Sequence, residues 1–467
     1  MVRHPRVEEI GPVRVTVSAR KVQSRLFGSP LVILYIFAAL VAVGTALLIP
    51  PFAHHGSGTT PFMDALFTST SAVTVTGLVV QDTATYWTLY GKAVVLGLMF
   101  VGGLGIMTLA AFLLVILGQR VSLFQRVLMR ESLGILPVNE LGGLVRLAIR
   151  IVIVAVAIQL VGFIALTVRF LAVMDPVDAV AQGLFMAVSG FNGAGFTALP
   201  ESASLSAYQT DVTVIVVMGL LILLGGISIW VMADVVTLRR FSLFSLNTKL
   251  VLVTTAFLVL LGSVVFFAFE YGNPPTLQAL SVPHKLLVSA FEAISGRTAG
   301  FSTVDYGETE QHTNFIFISL MFIGGASASV AGGIKVNTFA VVLVAVLSTM
   351  QGRTHATAFG REIPVVIVQR AMVIGAVATA VVFFFAFLLT AVETGFDFID
   401  LLFESVSAFG TVGLSTGLTG DLSRWGQLIL VVAMFVGRVG PLGLGLAMAQ
   451  YSESDKYRYA HERVTIG

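Results

Sequence analysis

The chain has 467 residues, of which 56% are hydrophobic and only 11% charged, with a mean hydropathy of +0.94 and a net charge of +2. A water-facing domain usually carries about 25% charged residues, so this composition excludes an ordinary soluble enzyme, a disordered regulator and a nucleic-acid binder, which would need a basic face for phosphates. Cysteine is absent, which removes disulfides and thiolate metal sites.

A bilayer-spanning helix needs about 20 apolar residues. After a polar tail, residues 1–30, runs of that kind predict spans over 31–50, 93–117, 150–172, 212–235, 250–269, 315–348, 366–391 and 427–449. The first run is too long, and the tail before it too polar, for a cleaved leader, so a retained helix is expected. Basic residues gather in that tail (Arg3, Arg6, Arg14, Arg20, Lys21, Arg25) and in the loop 119–149 (Arg120, Arg126, Arg130, Arg146). More follow at Arg239, Arg240 and Lys249, at Arg353, Arg361 and Arg370, and in the closing segment 450–467 (Lys456, Arg458, Arg463). The alternate segments are acidic, with Asp64, Asp82, Asp175, Asp178, Asp305, Glu308 and Glu310. The positive-inside rule then places both termini in the cytoplasm of a multi-pass protein of the cell membrane. The acidic outer face should concentrate cations.

Between each odd-numbered span and the next lies an outer segment with one plan: a stretch of 10–12 moderately apolar residues, then a polar turn with glycine. These run from Phe67 to Gly77, Phe185 to Gly195, Phe291 to Gly300 and Phe403 to Gly413, the third one residue shorter than the others. They divide the chain into repeats at 31–118, 150–236, 250–348 and 366–449. The expected fold is an all-α polytopic membrane protein, with four pseudo-symmetric span–pore helix–span repeats around a central cation pore. A helix of that length cannot cross the bilayer, and the non-helical turn after it is tolerated at membrane depth only inside protein or beside water. Its C-terminal end carries partial negative charge. Four such ends around an axis favour a cation, and carbonyl rings can replace its hydration shell.

The turns themselves read Thr-Val-Thr-Gly77-Leu, Ser-Gly-Phe-Asn-Gly-Ala-Gly195-Phe, Gly-Arg-Thr-Ala-Gly300-Phe-Ser-Thr and Gly-Thr-Val-Gly413-Leu-Ser-Thr-Gly. In these the chain resembles the membrane subunits of the Trk/Ktr/HKT superfamily of potassium transporters over nearly its whole length. The resemblance implies a filter with one key glycine per repeat: Gly77, Gly195, Gly300 and Gly413. A serine at the first position accompanies sodium selectivity in the plant branch, so Gly77 implies potassium as cargo, with a less selective sodium/potassium transporter or a non-conducting paralogue as alternatives. Two extra N-terminal spans of the Trk type are not found, so the likeness is to the Ktr type. That type implies a homodimer on a cytosolic ring of nucleotide-binding subunits, with the basic loops as docking surfaces or simply as topology signals. No cofactor is expected in the chain itself.

Further residues are candidates for the permeation path. Arg438 stands well inside the last span, and an arginine at such depth by default faces the interior or a water-filled cavity. The resemblance makes it a barrier beneath the filter; an arginine that snorkels or faces lipid is the alternative. The sixth span is interrupted by Gly324-Gly325-Ala-Ser327-Ala-Ser329-Val-Ala-Gly332-Gly333, and each glycine weakens a helix by about 0.8–1 kcal/mol. An unwound segment is expected there, which the resemblance implies is a gating loop; close helix packing through small residues is the alternative. Lys335 either bonds loop carbonyls or reaches for the cytoplasm. Thr74, Thr76, Asn192, Thr298 and Thr411 flank the glycines and either orient filter carbonyls or bond within the short-helix ends. Glu292 and Glu404 either attract cations or bond backbone amides. Arg297, beside the third turn, is expected to pair with an acid. Gly413-Leu-Ser415-Thr-Gly417 fits a nucleophile-elbow pattern only formally, in an all-helical context without partners, so no enzyme is expected.

Overall fold

The structure is a computed structural model that describes residues 31–103, 144–199 and 204–450. The expected tail 1–30, the closing segment 450–467 beyond its first residue, the later part of the second expected span (104–117) and most of the basic loop 119–149 lie outside the described residues. The described part is mostly helical, with almost no strand. In the first quarter come α1 (Leu31–Leu48), α2 (Phe62–Thr74), the single turn α3 (Thr83–Tyr86) and α4 (Leu89–Gly103). The second holds α5 (Leu144–Phe170), α6 (Pro176–Asn192), α7 (Val212–Gly226) and α8 (Ile229–Leu238). In the third are α9 (Leu246–Glu270), α10 (Val282–Thr298), α11 (Gln311–Phe322) and α12 (Val336–Met350), and in the last α13 (Val365–Val392), α14 (Phe398–Gly410) and α15 (Arg424–Gln450). A two-stranded hairpin, β1 (Thr357–Ala358) and β2 (Arg361–Glu362), sits between α12 and α13.

Among the described residues each apolar run carries helix, with two departures from expectation. The fourth run is not one straight span: α7 and α8 meet at 98°. The break falls at Gly225-Gly226-Ile-Ser228, where Ser228 accepts from the Trp230 amide and restarts the helix as its N-cap. The sixth run is broken between α11 and α12, as its glycines predict. The short helices are longer than the apolar stretches suggest, at 13, 17, 17 and 13 residues for α2, α6, α10 and α14. In α6 and α10 a proline in the first turn starts the helix well before the phenylalanine. Among the described residues, Ile149–Phe170, Leu246–Glu270 and Val365–Val392 are each long and apolar enough to cross a membrane.

Burial runs opposite to that of a soluble protein. The long helices expose Leu160, Val161, Ile164, Leu260, Phe383 and Phe387, while Thr68, Ser69, Thr70 and Ser71 of α2 are fully enclosed. Lipid accepts the first group without cost; the second is shielded by neighbouring helices, with Ser69 donating to the Val41 carbonyl and Ser71 accepting from the Gly77 amide. The packing is cyclic. Each short helix lies against its own flanking helices and against the second span of the preceding repeat: α4 on α6, α7 on α10, α11 on α14, and α15 back on α2.

Charged groups fasten the helix ends on the side where the short helices begin. Arg169 of α5 pairs with Asp211 at 2.7 Å, and Asp211 caps α7 through the Thr213 and Val214 amides. Glu270 at the end of α9 accepts from the Glu310 amide at 3.0 Å and the Thr313 hydroxyl at the start of α11. Glu393, just past α13, accepts from the Ser423 amide and hydroxyl ahead of α15. Each carboxylate therefore meets free amides at a helix N-terminus, where negative charge is stabilised.

Candidate cation pathway

The C-terminal ends of α2, α6, α10 and α14 converge, and each is followed at once by its glycine turn. Gly77, Gly195, Gly300 and Gly413 all have positive φ, at 94°, 70°, 68° and 95°. They also interlock. A Cβ built on Gly77 would stand 2.5 Å from the Ala194 carbonyl oxygen and 2.8 Å from the Gly195 Cα; one on Gly195 would stand 2.9 Å from the Ala299 oxygen. On Gly300 it would strike Val412 and Gly413, and on Gly413 it would strike Thr76 and Gly77. Going round, the first turn touches the second, the second the third, the third the fourth, and the fourth the first. The four glycines form a closed ring with no room for a side chain, whose neighbours are the carbonyls of Thr76, Ala194, Ala299 and Val412.

How the chain reaches this ring differs among repeats. In three of them the residue after the short helix is left-handed: Val75 (φ 57°), Gly193 (φ 64°) and Thr411 (φ 49°). A β-branched residue there is strained by about 1–2 kcal/mol, and such strain persists where the surroundings enforce it. The third turn, one residue shorter, omits this step, and Ala299 is at φ −136°.

Four serines hold the ring, each the fourth residue after the repeat's phenylalanine. Ser71 and Ser407 accept from the amides of Gly77 (3.0 Å) and Gly413 (3.1 Å). Ser189 and Ser295 donate instead to the carbonyls of Phe196 (2.8 Å) and Phe301 (2.6 Å), just past their glycines. The residues that sequence singles out beside the glycines do something else. Thr74 bonds the Thr70 carbonyl and the Thr76 hydroxyl, and Asn192 donates to Val188. Thr411 turns its side chain onto Gly332, and Thr298 faces Gly226. Thr76 contributes to the ring through its carbonyl rather than its hydroxyl. Glu292 and Glu404 are fully buried and bond the loops beyond the ring: Glu292 accepts from the Thr303 amide and hydroxyl (both 2.7 Å) and Tyr306, Glu404 from Ser415, the Thr416 amide and Thr419. They brace backbone.

A second register lies deeper. Gly102-Gly103, Gly225-Gly226, Gly324-Gly325 and Gly437-Arg438 occupy matching places in the second spans. Gly102, Gly225 and Gly437 press on the carbonyls of Val73, Phe191 and Phe409 of the short helices. Only the fourth pair replaces its second glycine, with Arg438. Its guanidinium donates to Gly102 at 2.8 Å and to the Val330 carbonyl, so the side chain faces the interior.

Val330 belongs to the segment between α11 and α12, which is unwound throughout. A parallel bridge between Ile323 and Ile334 closes its neck, with the Gly324 amide on the Ile334 carbonyl at 2.8 Å. Its amides dock on the 98° corner of the second repeat, Ala326 to Gly226 (2.9 Å) and Val330 to Gly225 (3.3 Å). The Ser327 amide is held by Asn337, and the Ala331 amide reaches the Ser329 hydroxyl at 3.4 Å. Lys335 donates to Ala331, a loop carbonyl. Gly332 and Gly333 lie directly against Thr411 and Gly410, under the fourth turn. Arg297 corrects the expectation of an acidic partner: it forms no ion pair among the described residues and donates to the Gly324 carbonyl at 3.2 Å. Unwinding frees the Gly324 carbonyl, and it serves as the acceptor.

A ring of helix C-termini and carbonyls above an inward-facing arginine suits passage of a cation. Residues 35–459 match the family model described as cation transport protein, TrkH. The chain belongs to the TrkH family of cation transport proteins. It is 38% identical to the Ktr system potassium uptake protein B of Bacillus subtilis, over 94% of this chain and 97% of that protein. It is 34% identical to the potassium/sodium uptake protein NtpJ of Enterococcus hirae, over 97% and 100%. Among solved structures, the potassium transporter TrkH from Vibrio parahaemolyticus superposes with a TM-score of 0.69 over 93% of this chain and 86% of that one, at 18% identity. Membership of this family makes the protein a membrane-embedded transporter rather than an enzyme.

Proposed function

We propose that this TrkH-family member takes potassium into the cell through the ring of Gly77, Gly195, Gly300 and Gly413. The closed fourfold interlock of those glycines carries the reading: no ring position has room for a side chain, and carbonyls suit a dehydrated monovalent cation. Repeats 31–118, 150–236, 250–348 and 366–449 each supply one turn. Both termini are cytoplasmic, and the membrane potential, worth about 2.3 kcal/mol per charge per 100 mV, drives potassium inward. The segment 324–335 is the gate and Arg438 the barrier beneath the filter. The protein works as a homodimer under control of a cytosolic nucleotide-binding ring. The names of the Bacillus and Enterococcus relatives support potassium as cargo, and the second of them keeps sodium as the alternative cargo.

The test is uptake in cells lacking their own potassium transporters, with the ring partner co-expressed, for the native chain and Gly77→Ser. Rescue at low potassium by the native chain, lost or opened to sodium by the substitution, supports the filter. Rescue indifferent to Gly77→Ser refutes it.

A further inference from the structure

Arg297 is the observation that the proposed filter and gate leave unexplained. It sits in the last turn of α10, at the doorstep of the third filter glycine, and is 4% exposed. A buried guanidinium without a carboxylate is costly unless its donors meet other acceptors. Here Nη2 meets the Gly324 carbonyl at 3.2 Å, while Nε has no partner. Gly324 is no arbitrary acceptor. It opens the unwound segment, and its own amide is bonded to the far side of the neck at Ile334. One glycine thus ties the loop to itself through its amide and to the third filter helix through its carbonyl. The other two cations at the loop, Arg438 and Lys335, hold Val330 and Ala331 near its far limb.

We infer that Arg297 is a positioning residue that latches the neck of the 323–335 loop to the third filter helix. Movement of the neck away from α10 strips the guanidinium of its acceptor, with no acid among the described residues to replace it, so the contact favours the closed loop. Its location at a helix C-terminus keeps the side chain stable there, because positive charge is favoured at that end. The inference rests on reading the loop as a gate, but its physical core, a latched neck, can be measured without transport.

The native chain contains no cysteine, so Ser327→Cys introduces a unique thiol on the half-buried part of the loop. The full chain carrying it, in lipid nanodiscs, is treated with a water-soluble maleimide, with Arg297 native, Arg297→Gln or Arg297→Lys. Loss of a hydrogen bond from a charged donor should speed labelling at least about fivefold in Arg297→Gln. Lysine, which keeps the charge and one donor, should fall between the two. Potassium-over-sodium preference in vesicle flux should be unchanged. Equal labelling rates in all three overturn the latch, as does lost ion preference with unchanged labelling, which would make Arg297 a filter support only. If Arg297→Gln does not fold, the lysine variant decides alone, faster labelling supporting the latch and unchanged labelling overturning it. Flux through a chain lacking Ser327 to Val330 is measured in parallel. Faster labelling in Arg297→Gln together with unchanged flux in the deletion would refute the gate and leave the latch standing.

Discussion

The outer and inner glycine sets of this protein follow opposite rules. In the outer ring four glycines are alike in kind, all with positive φ, and each is in contact with the next. In the inner set three repeats have Gly-Gly and the fourth has Gly437-Arg438. Discriminating an ion held on all sides involves every repeat, so a side chain added at any one of the four glycines disturbs its neighbour in the ring. Stopping an ion needs one obstruction, and a single repeat can supply it. On the proposed reading the four repeats are alike where they select and differ where they obstruct.

The largest expected effect comes from breaking the uniform set. Gly413→Ala forces a methyl onto the Thr76 carbonyl at φ 95°. Left-handed strain of about 1–2 kcal/mol and overpacking of about 1–3 kcal/mol act together, and rubidium uptake should fall at least about a hundredfold with the protein still in the membrane. Gly417→Ala is the control. Gly417 has nearly the same φ, 94°, but nothing within 4 Å of the built Cβ, so uptake should survive. Equal losses in both would mean that backbone strain alone matters, not the contact between repeats.

Next in size is the removal of the inner exception. Arg438→Gly gives the fourth repeat the Gly-Gly pair of the others and removes the bonds to Gly102 and Val330. Flux in proteoliposomes should rise about tenfold, equivalent to ~1.4 kcal/mol off the barrier, with ion preference intact. Unchanged or lower flux in a folded variant would deny that Arg438 obstructs.

A smaller effect is expected at the serines. Ser71→Ala and Ser407→Ala orphan a filter amide, whereas Ser189→Ala and Ser295→Ala release a carbonyl. With about 1 kcal/mol per bond, each should change potassium-over-sodium preference a few-fold, measured by competitive flux. The amide pair should lose more, because an unpaired N–H is harder to satisfy than a carbonyl. An identical response from all four would mean that the two modes of attachment do not matter.

These serines mark what was and was not legible in the sequence. The four Phe-to-Gly segments reveal the fold because a short apolar stretch followed by a glycine turn has one stable role in a membrane. Ser71, Ser189, Ser295 and Ser407 stand at one offset in all four segments, so aligning the segments on phenylalanine would have exposed them. The flanking threonines and Asn192 draw attention by being next to the glycines, but Thr74 and Asn192 bond within the short-helix ends, and the proposed filter would use backbone carbonyls there. The 98° corner escapes a hydropathy profile, which registers apolarity and not direction; its signal is the recurrence of Gly-Gly at 102, 225 and 324. Arg297's acceptor could not be read at all, because a backbone carbonyl has no letter in the sequence.

The smallest expected effect tests how the outer ring closes. Arg424 at the start of α15 pairs with Asp64 at the start of α2, joining the last repeat to the first. It is tempting to credit this pair with closing the circle. Asp64 is almost fully buried, but the Arg424 side chain is 57% exposed, and pairs open to water contribute about 0–1 kcal/mol. Asp64 also accepts from Gln81 at 2.9 Å, which remains when the arginine is gone. The backbone contact of Gly413 with Thr76 and Gly77 lies deeper and does not depend on salt. Arg424→Gln should therefore lower the melting temperature by a few degrees at most, less at high ionic strength, and leave ion preference as it was. If competitive flux instead shows lost discrimination, the ring is closed from its charged rim rather than from its glycines.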